Sequence, residues 1–143
     1  GNLYGSLLPA LTVEGVKEAV ANTKAQVVMI SNLVTKPGQT DGWHVADYVG
    51  KIEEYLGAGS IDIVLYNNKL PSAGLLKKYA ADGEFPVLAE KSRFNEISAR
   101  PIGASLVAGQ AAKQDKNDTQ IRRTLIRHDA AEVKRQLQKI ILS

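Results

Sequence analysis

The chain has 143 residues, 44% of them hydrophobic and 23% charged, with 18 basic against 15 acidic side chains and a net charge of +3. That length predicts one domain with enough chain to bury a core, and that mixture excludes a disordered segment. The absence of cysteine excludes disulfides, thiolate metal sites and cysteine catalysis. It also fits a reducing compartment. No apolar run nears the roughly 20 residues that span a bilayer, and the opening residues lack the basic and apolar regions of a signal peptide. Cytoplasm is the expected location. The sole methionine is Met29, so the chain reads as a piece processed or excised from a longer one.

Along the chain, Val16, Ala19 and Val20 stand at i, i+3 and i+4 and predict a short helix over 14–22. AQVVMIS at 25–31 is short, apolar and β-branched, which predicts a buried strand, and Pro37-Gly38 marks a turn. Asp41 is suited to cap the next helix. Within 43–56, Val45, Val49, Ile52 and Leu56 recur at helical spacing, and GAG at 57–59 ends the run. IDIVLYN at 61–67 predicts a second strand, and LLKKYA at 75–80 a short helix closed by Asp82-Gly83. FPVL at 85–88 and RPIGASLVAG at 100–109 predict further strands. AAKQDKNDTQ at 111–120 is polar and aperiodic, as an exposed loop is. RTLIRHD at 123–129 predicts a last strand. The final helix follows, with Asp129 as its cap and Val133, Leu137, Ile140 and Ile141 on one face.

Strands that alternate with helices predict an α/β fold with a Rossmann-like, mostly parallel sheet and flanking helices. The runs at 25–31 and 61–66 are expected to pair in parallel through the helix at 43–56. Ligands of such sheets sit at the C-terminal ends of the strands. The segments 31–42, 66–72 and 127–129 all leave strands at that edge.

The first of these, SNLVTKPGQTDGW, has two readings. In one it is a Pro-Gly turn in which Asn32 and Thr40 bond the local backbone. In the other it is a cradle: Gly38 and Gly42 admit close backbone approach, while Thr35, Thr40 and the amides ahead of the helix bond an anion or a sugar. Spacing alone favours the turn. His44 and His128 would need Asp41 or Asp129 to hold a metal, and capping or surface roles are commoner for such histidines. No nucleophile–base–orienter set and no paired carboxylate can be assembled. Arg122, Arg123, Arg127, Lys134, Arg135 and Lys139 concentrate positive charge late in the chain. They lack interleaved aromatics, so a solvated face is expected and a nucleic-acid partner is not.

SNLVTKPGQTDGWHVADYV resembles the strand–loop–helix signature of the CofD-like family, matching it at Asn32, Leu33, Val34, Thr35, Pro37, Gly38, Gln39, Thr40, Asp41 and Gly42. GNLYGSLLPAL is similar to a second segment of that family. IRHDAAEVKRQL is similar to the ending of its gluconeogenesis-factor branch. The resemblance implies that 1–143 is the C-terminal part of a larger CofD-like α/β domain, whose Gly-rich nucleotide-binding segment is not in this chain. It implies a cytoplasmic regulatory protein that binds a nucleotide sugar, such as a UDP-sugar, and is linked to carbon metabolism and cell shape.

The resemblance further implies ligand contacts from Asn32, Thr35, Gly38, Thr40, Asp41 and Gly42, with a metal or a substrate hydroxyl at Asp41. It implies a base stacked on Tyr79 and diphosphate oxygens held by Arg127. Without the resemblance, Tyr79 reads as a helix residue covering the core and Arg127 as a surface charge. The alternative it carries is an enzyme of the 2-phospho-L-lactate transferase type. Such an enzyme would move a phospholactyl-type group from an activated nucleotide onto a deazaflavin precursor, with Mg²⁺. One departure stands out: the family's Asp-His pair after the loop is Asp47-Tyr48 here. A piece of a larger domain is also expected to leave an apolar sheet edge or face that favours self-association.

Overall fold

The computed structural model describes residues 2–108 and 126–142. Asn2 opens it by accepting hydrogen bonds at its Oδ1 from the backbone N–H groups of Tyr4 (3.0 Å) and Gly5 (3.4 Å). These are the orphan donors of a π-helical turn, Leu3–Leu7, that runs directly into α1 (Leu8–Leu11). No helix is expected here from the sequence, because LYGSLLPAL is apolar without a clear helical period. The elements that follow are α2 (Val16–Asn22), β1 (Val28–Ile30), α3 (Val45–Leu56), β2 (Ile63–Asn67), α4 (Ala73–Ala80), a 3₁₀ segment (Lys91–Glu96), β3 (Arg100–Ala104) and α5 (Ala130–Ile141).

Among the described residues the sheet has three strands in the order β1-β2-β3, and both pairings are parallel. Val28 lies opposite Ile63, and Leu65 lies between Ile30 and Ile102. The α/β expectation and the β1–β2 pairing through α3 both hold. Successive side chains of a strand point to opposite faces, and β2 uses this to join two cores. Val64 packs with Leu3, Leu8, Val49 and Ile52 on the α1–α3 side. Its neighbour Leu65 packs with Leu33, Tyr79, Leu106 and Ile126, against which Val133 of α5 also rests. Helices therefore cover both faces. Among the described residues no helix is long and apolar enough to cross a membrane.

Several boundaries shift. FPVL forms isolated bridges rather than a strand, Val34 with Pro86 and His44 with Leu88. Pro86 has no N–H to give a ladder, and its partners are loop residues. The strand expected over 100–109 stops at Ala104. Residues 126–129 form no strand beyond one bridge between Val107 and His128. The expected loop at 111–120 and the start of the last expected strand lie outside the described residues. α5 begins as expected, with Asp129 accepting from the N–H groups of Ala131 (2.9 Å) and Glu132 (3.1 Å). Ile140 is buried, but Ile141, in the last turn, is 78% exposed and leaves the expected face.

Candidate functional site

The segment after β1 is held by its own bonds and by the chain at 84–88. Thr35 pairs with Phe85 in both directions: its N–H donates to the Phe85 carbonyl (2.7 Å), and its Oγ1 accepts the Phe85 N–H (3.0 Å). Lys36 and Thr40 do the same across the turn, with the Lys36 N–H on Thr40 Oγ1 at 2.8 Å and the Thr40 N–H on the Lys36 carbonyl at 2.9 Å. Gly38 and Gly42 have φ of 72° and 67°. No atom lies within 4 Å of where a Cβ would stand on either. Backbone handedness, not close approach within the chain, is what calls for glycine at both.

The helix cap corrects the expectation for Asp41. The Asp41 carboxylate turns back to accept the Gly38 N–H at 2.6 Å, and the cap of α3 is His44, three residues further on. His44 Nδ1 accepts the Ala46 N–H (2.9 Å), so Nε2 carries the proton and donates to the Glu90 carbonyl (3.0 Å). Burial pushes the imidazole pKa below its ordinary value, and the ring stays neutral. Asp47 closes the box by accepting the His44 N–H at 2.7 Å. The Arg93 guanidinium forks onto the same carboxylate at 2.9 and 3.0 Å and holds its pKa low.

The first amides of α3 are thus engaged internally: Val45 on the Leu88 carbonyl, Ala46 on His44 Nδ1, and Asp47 on the His44 carbonyl. Of the amides ahead of the helix, that of Thr40 donates to the Lys36 carbonyl.

A cavity of about 430 Å³ opens at the C-terminal end of β1, the place where open α/β sheets bind ligands. Asn32, Thr35 and Thr40 line it, which gathers three of the eight expected site residues. Gly38, Asp41 and Gly42 are exposed and do not line it. Tyr79 is 8% exposed within the second core, and its Oη accepts the buried Ile126 N–H at 2.8 Å. Its ring packs in the interior rather than facing the cavity. Arg127 is half-buried, and its carbonyl accepts the Ala108 N–H at 2.9 Å; it follows Ile126, which does line the cavity.

Sequence reasoning did not single out Asn2, Lys36 or Glu84 as lining residues. Lys36 and Glu84 form an ion pair at 2.8 Å in the wall. His128 also lines the cavity, donating from Nε2 to the Ser31 carbonyl at 3.1 Å, with its pKa lowered by burial. Tyr48, the departure from the family's Asp-His pair, also lines the cavity, and that departure is its signal in the sequence. No group of three His, Cys, Asp or Glu residues is placed for a metal among the described residues. Among the described residues Glu84 is the only carboxylate lining the cavity and it is tied to Lys36, so these residues do not fit Mg²⁺, which is held through carboxylate and water oxygens.

The family model for 2-phospho-L-lactate transferase CofD matches residues 1–107. The chain belongs to the CofD family. Among proteins similar to this CofD-family chain, one from Thermotoga maritima is 34% identical over 141 residues, covering 98% of this chain and 41% of its own length. The Bacillus subtilis gluconeogenesis factor is 32% identical over 133 residues, with 93% of this chain and 38% of that protein covered. The crystal structure of a Bacillus halodurans protein superposes with a TM-score of 0.82 at 29% identity, covering 96% of this chain and 40% of that one. The CofD-family chain thus spans about two fifths of the length of these relatives.

Proposed function

We propose that this chain carries part of the binding site for a nucleotide sugar in a regulatory protein of the gluconeogenesis-factor type, cytoplasmic and linked to carbon metabolism and cell shape. The observation that carries this reading is the cavity at the end of β1, walled by Asn32, Thr35 and Thr40 of the family's signature segment. A carboxamide and hydroxyls suit sugar and base oxygens, and its volume falls in the range of small-molecule sites. Arg127, adjacent to the cavity wall, is the group of this chain suited to fork onto diphosphate oxygens. Tyr79 supports that wall through its bond to Ile126. Among the described residues β1 is an edge strand, and Ile30 on it is 37% exposed, which suits self-association.

The transferase reading has the name of the family model behind it, but among the described residues the single carboxylate of the cavity is paired with Lys36, which argues against a Mg²⁺-dependent step here. Thermal-shift titration of the full-length protein with UDP-glucose, GTP and inorganic phosphate separates the two. A nucleotide sugar that binds the folded state raises the unfolding temperature by mass action. The expected result is a concentration-dependent rise with UDP-glucose and none with phosphate. A rise with GTP alone supports the transferase, and no rise with either nucleotide sinks both.

A further inference from the structure

We infer that the Tyr48 hydroxyl is a ligand-contacting group of this cavity, bonding an uncharged, hydroxyl-bearing portion of sugar type; the inference rests on the site reading above and names which part of the ligand lies deepest. Tyr48 stands in the first turn of α3, 0% exposed. Its ring is fixed edge-on against Trp43, with centroids 5.1 Å apart and planes at 75°. Trp43 in turn meets Tyr4 edge-on at 6.3 Å, so the phenol has a rigid backing. The Tyr48 side chain lines the cavity beside Thr40 and Asn32. Its hydroxyl is buried and, among the described residues, has no hydrogen-bond partner.

Buried polar groups are almost always paired, and an unpaired one costs stability. Tyr79, buried in the other core, obeys that rule through Ile126. Tyr48 does not. The Thr40 side chain is near enough to act on the phenol and lower its pKa, and Thr40 Oγ1 also accepts the Lys36 N–H, but no hydrogen bond closes between the two hydroxyls. Burial pushes the phenol pKa up, the Thr40 side chain opposes that shift, and among the described residues the charge acting on it is Asp47. Among the described residues, a phosphate at this point would meet the field of the Asp47 carboxylate, with no cation acting on the phenol. A sugar hydroxyl carries no charge and both donates and accepts, as a phenol does. The cation in the wall, Lys36, is half exposed and paired with Glu84.

The test is Tyr48→Phe in the full-length protein, read by apo unfolding temperature and by calorimetric titration with UDP-glucose and with UDP. Phenylalanine keeps the ring on Trp43 and removes only the hydroxyl. The expected apo result is an unfolding temperature that is unchanged or higher, because no bond within the chain is lost. Affinity for UDP-glucose is expected to fall by roughly five- to tenfold, the size of one lost hydrogen bond, with UDP unaffected. A clear fall in the apo unfolding temperature would mean that the hydroxyl has a partner inside the protein and overturns the inference. Unchanged UDP-glucose affinity, or equal losses for UDP-glucose and UDP, overturns it while leaving the site intact. If the wild-type protein binds neither compound, the site reading fails and this inference fails with it.

Discussion

Gly42 shows what a single backbone angle asks of the loop after β1. Its φ of 67° lies in the left-handed region, and the space around it is open. A β-branched side chain there has room but the wrong backbone. Gly42→Val is therefore expected to cost about 1–2 kcal/mol. Gly42→Asn is expected to cost less, since asparagine tolerates this region. Urea denaturation checks both, and equal stability of the Val and Asn variants would show that the loop relaxes to a different turn. Asp41, one residue earlier, holds the Gly38 N–H rather than a helix end. Its replacement loosens the turn and leaves the start of α3 untouched.

At the scale of the element, the start of α3 is expected to respond to pH through His44. Burial lowers the pKa of His44 and of His128 below the ordinary 6.5. As pH falls through that value the unfolded chain takes up protons that the folded chain does not. Stability present above the ordinary value is therefore lost as pH drops beneath it, until the folded rings also protonate. The denaturation midpoint is expected to fall between about pH 7 and about pH 5. His44→Asn, which keeps a capping side chain, should make that fall shallower, with His128 supplying what remains. A flat profile in the wild-type protein would mean that neither ring is held neutral by the fold. Asp47 acts in a separate window: its pKa is lowered from 3.8 by the Arg93 hydrogen bonds, so its contribution is lost only at more acid pH.

For the whole molecule, β2 is the shared wall of two cores. Val64 and Leu65 are both fully buried and face opposite layers. Leu65→Ala is expected to cost about 2–5 kcal/mol, the range for a truncated core leucine. It should also weaken both layers together. Trp43, the only tryptophan, packs on the α3 side, away from Leu65, so its fluorescence reports the layer not mutated. Coincident fluorescence and far-ultraviolet transitions at a lower midpoint are expected. Separate transitions would show that the two layers unfold independently.

The sequence by itself determined the features that depend on near neighbours. Val45, Val49, Ile52 and Leu56 lie along one helical stripe, and all four are buried. The apolar runs at 25–31 and 61–67 contain β1 and β2, and Asp129 caps α5 from two and three residues away. Periodicity and capping act over a few residues, so a linear pattern records them. Tertiary structure decided what depends on distant partners. His44 displaces Asp41 as the cap of α3 because its other nitrogen finds the Glu90 carbonyl and Asp47 finds Arg93, each 46 positions away. Tyr79 turns inward because the Ile126 N–H, 47 positions on, needs an acceptor in a buried place. The cavity itself draws its walls from Asn2, the segment after β1, Glu84 and the stretch from Ile126 to His128. No local period encodes that meeting, because only the packing of β1 and its neighbours brings these stretches to one end of the sheet.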